Sequence, residues 1–461
     1  ILTLLGLPGP AAAMTYEEAR HLLARTGFGG GARQIQTMTR LDYPAAVARI
    51  LSATNTVAST PPPEWVDAPP PDFRELRSMN DVQRKQFRRQ QREQAMELKG
   101  WWYAEMLATP SPLTERMTLF WHNHFTSSVR KVKWPTLMYR QNALLRRHAL
   151  GNFRALLHAV AEDPAMVIYL DNQTNRKGKP NENFARELLE LFTLGEGHYT
   201  ERDIKEAARA FTGWRVDRRS GQFRFRARQH DTGMKEFFGY RGAFNGEDIL
   251  DIILEQPQVA VHITEKLWRE FISETPDGEE VRRLAAIFRD NDYEIKPLLQ
   301  ALLLSPHFRT TATRGTLVKS PVELVVGTVR LFQIPIRDSR RLARLGRHLG
   351  QDVFTPPNVK GWPGGTAWIT TSTLLARQQL LERVMRGPQM REGDRMRRDI
   401  VPVVMSARQP PWLTRGALAA LDSQELERLL LPLAPAKSIP DDIDMPTRAV
   451  ALILDPVYQL K

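Results

Sequence analysis

Cysteine is absent from all 461 residues. Disulfide bonds, thiolate zinc sites, iron–sulfur clusters and cysteine nucleophiles are therefore excluded. No uncharged apolar stretch reaches the ~18 residues that a membrane-spanning helix needs, so we expect no transmembrane segment. A glycine-rich phosphate loop, a G-x-S-x-G elbow and alternating strand–helix units are also missing from the sequence. We therefore expect no nucleotide, haem or other cofactor and no resident metal.

Lysine is scarce, with 14 residues against 51 arginines, yet the net charge is +13. Such a balance suits an anionic partner, for example an acidic polymer. The alternative is a codon-driven preference for arginine spread over solvated helix faces. The arginine-rich stretch within residues 72–107 carries no recognisable nucleic-acid module, so we expect no nucleic-acid partner.

Helical spacing of apolar residues dominates the chain and predicts a mainly α, multi-helical globular protein. The alternating stretch 221–226 predicts at most a small β-hairpin near 221–228. A capping-box pattern at Thr15 and Glu18 predicts a helix start there, and a long helical pattern runs over residues 72–107. Further predicted helices cover residues 152–162, 181–194, 201–211, 247–254, 258–273, 279–290, 295–304, 320–332, 339–350 and 371–386. We expect a main helical domain over 14–390 with a proline-rich loop at 52–71, and a C-terminal helical extension over 391–461 packed on that domain.

Residues 1–13 are apolar and then small, a pattern typical of the end of an export signal. We expect them to be a signal-peptide remnant, which would place the protein in the periplasm or outside the cell. The alternative interpretation is an ordinary apolar N-terminal strand.

The segment 171–214 holds the richest group of polar residues. On the predicted helix, Asn183, Glu187 and Glu190 follow one another at i, i+4 and i+7 and share a face. Two carboxylates one helical turn apart can act as an acid–base pair. The simpler alternative is a surface ion pair between Arg186 and Glu190.

Histidines suggest two further sites. His122 and His124 point ~200° apart if their helix continues, so they cannot share a metal ion, and His124 is typical of a hydrogen-bonded core residue. His230 and Asp231 fall on a turn, where the carboxylate could act as an acid or orient a general base. A turn-capping aspartate would need no function.

Proline, glycine and tryptophan are concentrated in residues 356–368. Trp362 and Trp368 in such a shaped loop could form a ligand platform, or they could close the helical core.

Several stretches together resemble a bacterial family of exported proteins, domain of unknown function 1800. The stretches are HLLARTGFG (21–29), LFWHNHF (119–125), NENFARELLELFTLG (181–195), AFTGW (210–214), His230-Asp231 and PPNVKGWPGG (356–365). They follow the family's order and span nearly the whole chain. The resemblance implies a helical exported protein, often encoded beside another exported protein that could be a partner. It implies no reaction.

The function that we predict is an exported hydrolase of a polymer, most plausibly a glycoside hydrolase acting on an acidic polysaccharide. The predicted catalytic residues are Glu187 as general acid, Glu190 or Asp231 as nucleophile or base, and Glu182 in reserve. The predicted substrate-binding residues are Trp121, His122, Asn183, Trp214, His230, Lys235, Asn358, Lys360, Trp362 and Trp368. The alternative is a non-catalytic envelope scaffold or secretion partner, and a third possibility is a metal-dependent hydrolase using His122 and His124 with carboxylates.

Overall fold

Helix starts follow their capping residues. In the first helix, the Thr15 hydroxyl accepts a hydrogen bond from the Glu18 backbone N–H at 3.2 Å, and the Glu18 carboxylate accepts one from the Thr15 backbone N–H at 3.0 Å. Such a reciprocal pair satisfies two of the donors that every helix start leaves open. The computed structural model describes residues 13–69, 73–217, 219–386 and 421–461. These described residues are 62% helical, which confirms the mainly α class.

The α-helices of the described residues are numbered in chain order. The first eight are α1 (Tyr16–Thr26), α2 (Ala32–Met38), α3 (Tyr43–Ser52), α4 (Phe73–Ser78), α5 (Asp81–Ala108), α6 (Pro112–His124), α7 (Val129–Val132) and α8 (Pro135–His148). The next eight are α9 (Phe153–Ala161), α10 (Pro164–Tyr169), α11 (Asn183–Glu187), α12 (Glu201–Ala210), α13 (Gly246–Glu255), α14 (Pro257–Phe271), α15 (Gly278–Asp290) and α16 (Ile295–Leu304). The last six are α17 (Pro306–Arg309), α18 (Pro321–Leu331), α19 (Arg340–His348), α20 (Thr371–Arg386), α21 (Ser423–Leu430) and α22 (Met445–Leu454).

Helix α6 runs through the centre of the core. All of its residues except Pro112 and Asn123 are buried, and a helix covered on every side is an interior helix. Its charged residues are paired where they are buried: Arg146 Nε donates to Glu115 Oε1 at 2.5 Å, and Trp102 Nε1 donates to Glu115 Oε2 at 2.8 Å. These bonds offset the large cost of burying an unpaired charge.

Two short antiparallel hairpins complete the fold. Strand β1 (Trp214–Val216) pairs with β2 (Phe223–Phe225), so the hairpin predicted near 221–228 is present. Strand β3 (Lys235–Phe237) pairs with β4 (Tyr240–Gly242), and this second hairpin adds to the single one that the sequence suggested.

Carboxylates on α5 bind the proline-rich loop to the main body, and Trp65 Nε1 of the loop donates to Glu97 Oε2 at 2.8 Å. Glu105 on α5 accepts hydrogen bonds from the backbone N–H groups of Ser59 at 3.0 Å and Thr60 at 2.6 Å. The helical pattern beginning at 72 forms two helices, because Asn80 caps a new start at α5 with Gln83.

The C-terminal residues contact the beginning of the described chain. Arg428 Nε lies 2.7 Å from Glu17 Oε1, and the Lys319 backbone N–H donates to the Gln459 carbonyl at 2.8 Å. Residues 1–12 and 387–420, with most of the predicted export-signal remnant and the start of the predicted extension, lie outside the described residues. No helix in the described part of the chain is long and apolar enough to cross a bilayer.

Candidate functional site

The predicted helix 181–194 changes its winding after its first turn. Helix α11 is followed by a π-helical turn over Leu188–Thr193. There the Thr193 hydroxyl and the Leu194 backbone N–H each donate to a carbonyl five residues earlier, at 2.6 Å and 3.0 Å. A π-turn is uncommon and often lies at a functional site.

Side chains from two other helices bind the carbonyls that end this π-turn. The Leu191 carbonyl accepts hydrogen bonds from His262 Nε2 and Lys266 Nζ, both at 3.1 Å. The Phe192 carbonyl accepts one from His124 Nε2 at 3.0 Å, which confirms the core role expected for His124. Burial lowers the pKa of His262 to about 4, so its ring is neutral at pH 7. These bonds satisfy carbonyl groups at the end of the turn.

The ion pair between Arg186 and Glu190, the simpler alternative for this stretch, does not form. Arg186 instead binds Glu201 at 2.8 Å and Glu182 at 3.4 Å. Glu190 accepts a hydrogen bond from the Tyr199 hydroxyl at 3.2 Å. The guanidinium group of Arg186 therefore binds two other carboxylates and not Glu190.

One cation, the ammonium group of Lys360, lies close to Glu190. Lys360 Nζ lies 3.7 Å from Glu190 Oε1 and 3.2 Å from Glu196 Oε1, and its side chain is 62% exposed. An exposed pair of this kind contributes at most about 1 kcal/mol. The structure thus brings together two predicted site residues, Glu190 and Lys360, from distant parts of the chain.

Glu187 differs from its neighbours because no described side chain or backbone group binds its carboxylate. Burial raises the pKa of the Glu187 carboxyl above its ordinary value, and the nearby Glu190 charge raises it further. Burial also raises the pKa of Tyr169, and the Glu187 charge adds to that effect, so the phenol lies within electrostatic range. A carboxyl group with a raised pKa keeps its proton to a higher pH than an ordinary glutamate, which favours a role as proton donor.

A large cavity lies at the beginning of α11. It has a volume of about 1060 Å³, and its walls include Trp134, Arg176, Lys179, Glu182, Arg215 and Arg226. Four cations against one carboxylate make it positively charged. Glu182 and the cavity-lining Asn181 precede α11, so Glu187 lies five residues, about 7.5 Å of helix rise, beyond the wall.

Asp231 is held in a different environment, next to the hairpins. Arg209 Nε donates to Asp231 Oδ2 at 2.9 Å, and Arg209 Nη2 donates to Oδ1 at 3.3 Å. The Arg209 hydrogen bonds lower the pKa of Asp231 to about 2. Lys235 Nζ donates to the Asp231 and Gly233 carbonyls, at 2.6 Å and 3.1 Å. These contacts fit the turn-capping alternative, because two-pronged binding occupies both oxygens and keeps the carboxylate ionised, which excludes it as a proton donor.

His230 is part of the same corner. It is 7% exposed, and its Nδ1 donates to the Thr212 carbonyl at 3.0 Å. The bonds of His230 and Lys235 go to backbone carbonyls, so both side chains hold the turn instead of facing a substrate.

The comparison with protein families decides the identity of the chain. Residues 21–459 match the family described as "Protein of unknown function (DUF1800)". The chain belongs to the DUF1800 family. No curated protein and no solved structure matches it.

The DUF1800 loop 356–365 closes the core, which corrects the expectation of an exposed platform. The Trp362 backbone N–H donates to Asn123 Oδ1 at 2.7 Å, and Asn123 Nδ2 donates to the Trp362 carbonyl at 3.2 Å. Trp362 and Trp368 are 5% and 8% exposed, too little for either ring to stack on a sugar. Asn358 is exposed, and its side chain accepts a hydrogen bond from the Lys360 backbone N–H at 2.9 Å.

The tryptophans of the other DUF1800 stretches are buried as well. Trp121 is fully buried and donates to the Ala149 carbonyl at 3.0 Å. Trp214 packs between Phe211 and Phe223, with ring centroids 5.1 Å and 5.0 Å away. Neither ring has a free face, so both belong to the core and not to a substrate surface.

His122 is also a core residue in this DUF1800 chain. Its Nε2 accepts a hydrogen bond from the Phe354 backbone N–H at 3.1 Å, and burial lowers its pKa to about 3. Its hydrogen bond and that of His124 go to different backbone groups. Within the described ranges, no group of three or more histidine, aspartate or glutamate side chains is placed to hold a metal ion.

The sequence analysis missed three kinds of residue. Tyr169 and Tyr199 flank the carboxylates, and half-buried Trp134 and the hairpin residues Arg215 and Arg226 line the cavity. The alternating stretch 221–226 ends at Arg226, which was a usable signal for that arginine. Nothing local distinguishes Trp134 from the buried tryptophans.

Proposed function

We propose that this DUF1800 protein hydrolyses an acidic polysaccharide outside the cytoplasm, with Glu187 as general acid. The observation that carries the proposal is the Glu187 carboxyl itself, which is half-buried, has a raised pKa and has no hydrogen-bond or ion-pair partner among the described residues. A general acid requires a proton at working pH and an unobstructed path to the leaving-group oxygen.

Glu190 supplies the second carboxylate that glycoside hydrolysis needs. It accepts a hydrogen bond from Tyr199 and lies 3.7 Å from the Lys360 ammonium group. In this proposal Glu187 is the acid and Glu190 the base or nucleophile, a division of roles that two carboxyl groups in different environments can provide. The π-turn begins directly after Glu187 and contains Glu190, so the spacing of an ordinary α-helix does not apply to this pair.

The cavity beside α11 would hold the charged polymer. Arg176, Lys179, Arg215 and Arg226 present guanidinium and ammonium groups, which bind carboxylate or sulfate substituents. Trp134 offers a partly exposed ring on which a sugar can stack. Glu182 lines this cavity and pairs with Arg186. In this proposal it therefore has a structural role in the cavity wall and takes no part in the reaction.

The second candidate is a non-catalytic envelope scaffold or a partner in secretion. It is favoured by the way in which the structure uses the other predicted residues: Asp231, His230 and Lys235 are held in one corner, and four tryptophans are buried. In this case the cavity binds a polymer that the protein does not cleave.

The test is a hydrolysis screen of the purified protein on acidic and neutral envelope polysaccharides, repeated with Glu187→Gln. We expect cleavage of an acidic polymer and a loss of 10²–10⁴-fold in the variant, the usual contribution of a general acid. The matched control is Glu93→Gln, the same carboxylate-to-carboxamide change at an exposed position of α5 that pairs with Arg89, which we expect to retain activity within about twofold.

A loss of less than about tenfold would remove Glu187 from the mechanism. Salt-sensitive binding of acidic polymers without any cleavage would support the scaffold.

A further inference from the structure

Basic side chains surround one carboxylate at the junction of α1, α6, α18, α20 and the C-terminal residues. We call this group the cationic chamber: Arg20, Arg25, Arg116, Lys319, Arg377 and Lys461 around Glu323. Five of the six cations are buried, and Lys319 is half-buried. Glu323 lies within bonding distance of Arg116 and Lys461.

The charges of the chamber do not balance among the described residues. Two carboxylates contact its cations, Glu323 and Glu270, the second at 2.5 Å from Arg116 Nη2. The four arginines are protonated at neutral pH, so with the two lysines the group has six basic side chains against two carboxylate side chains. Burying a charge without a counter-charge costs several kcal/mol.

Several guanidinium donors are also left without acceptors. Arg25 is fully buried and uses Nη2 to bind the Thr313 carbonyl at 2.6 Å, but its Nε and Nη1 have no partner among the described residues. The same holds for Nε of Arg116 and Nε of Arg377. Each unsatisfied buried donor costs about 1–3 kcal/mol, more when it is charged.

A small cavity opens into this group. Its volume is about 60 Å³, roughly twice the share of one water molecule in the liquid, and Arg20, Lys319, Glu323 and Lys461 line it. Gly29 and Gly30 form part of another wall and carry no side chain into the space. Lys319 Nζ donates to the Tyr458 carbonyl at 2.6 Å, and this hydrogen bond holds the ammonium group of Lys319 at the cavity wall.

We propose that the cationic chamber binds a small tetrahedral oxyanion of the phosphate and sulfate class. Such an anion supplies negative charge beside the three cations that line the cavity, Arg20, Lys319 and Lys461, and suits a cavity of this size. The site contains none of the residues proposed for hydrolysis, so it stands independently of that function.

The lowered pKa values of the two lysines in the chamber are those expected where negative charge is too scarce to balance the cations. Burial lowers the pKa of Lys319 to about 7, and the positive charge of Arg20 lowers it further. Burial likewise lowers the pKa of Lys461 to about 8. An anion between them would favour the protonated form of both.

The experiment uses the whole purified protein, dialysed against a phosphate-free and sulfate-free buffer. Titration calorimetry with inorganic phosphate should give a stoichiometry of one. At a hundredfold excess over the measured Kd, the melting temperature should rise by about 3 °C for a chain of this length. Chloride at the same ionic strength should give no shift.

Lys319→Met removes one cation from the cavity wall, and Lys235→Met is the matched control. Lys235 also donates its ammonium group to backbone carbonyls, but it lies at the Asp231 corner. We expect Lys319→Met to lose at least half of the phosphate-induced shift and Lys235→Met to retain all of it.

No heat of binding in the unmodified protein would overturn the proposal whether or not the variants fold. An equal shift in Lys319→Met and in the unmodified protein would also overturn it, because general exclusion of phosphate from protein surfaces then explains the effect.

Discussion

Two carboxylates of this protein lie in opposite environments, although both belong to sequence motifs of the same family. Asp231 binds Arg209 through both oxygens, and its pKa falls to about 2 because of those hydrogen bonds. Glu187 has no such partner among the described residues, and burial together with Glu190 raises its pKa.

The comparison shows what decides whether a conspicuous carboxylate is structural or reactive. Arg209 satisfies Asp231 completely, so the charge stabilises a turn and has no proton to give. Arg186, which directly precedes Glu187 in the sequence, is bound by Glu201 and Glu182. The neighbouring charges, more than the residue type, set the chemistry.

The largest expected effect separates the two carboxylates by activity. Glu187→Gln should reduce hydrolysis by 10²–10⁴-fold, while Asp231→Asn, assayed where it is fully folded, should lose less than tenfold. Initial rates on the same polysaccharide measure both. Equal losses would show that the two residues act together and would end the distinction drawn above.

The next effect concerns stability. Asp231→Asn should lower the free energy of unfolding by about 1–3 kcal/mol, because Arg209 loses its charged acceptor in a partly buried site. The control is Glu236→Gln, whose exposed pair with Arg202 at 2.8 Å should contribute about 0–1 kcal/mol. Denaturant unfolding of both variants measures the difference, and a smaller loss for Asp231→Asn than for its control would contradict this view.

The Asp231 contribution should also depend on pH. The folded-state pKa lies below the unfolded value of ~3.9, so the stabilisation is present above pH ~4 and is lost as the pH falls toward 2. The stability gap between the unmodified protein and Asp231→Asn should close over this window.

A smaller effect tests the support of the reactive patch. Asn183 Nδ2 donates to the Leu170 carbonyl at 3.1 Å and joins the start of α11 to the end of α10. Asn183→Ala should cost about 1 kcal/mol and lower the melting temperature. The control is Asn291→Ala, which removes an exposed hydrogen bond from the side-chain amide to the Ile287 carbonyl. It should change the free energy of unfolding by no more than about 0.5 kcal/mol. An unchanged melting temperature with lost activity would instead make Asn183 a substrate-binding residue.

The smallest effect has the opposite sign. Glu187 has a raised pKa in the folded state, so its ionisation opposes folding as the pH rises through that value. Glu187→Gln should therefore melt slightly above the unmodified protein at pH 7, and the difference should vanish below pH ~4. A lower melting temperature at pH 7 would show that the carboxylate is stabilised by a partner.

Local patterns were enough to predict several features of this protein. The spacing of apolar residues predicted the helical class, the Thr15 and Glu18 pair predicted the start of α1, and the alternation near 221–226 predicted half of a hairpin. The stripe of Asn183, Glu187 and Glu190 was visible because helix periodicity relates residues close in sequence.

Tertiary structure decided the rest, because the partners lie far apart in the chain. The π-turn is held by His124 on α6 and by His262 and Lys266 on α14, so no local signal could separate it from an ordinary helix. The burial of the tryptophans depends on which helices cover them. The sequence by itself determined which side chains could carry charge; tertiary packing determined which charges meet a partner, and a carboxylate's pKa depends on that partner.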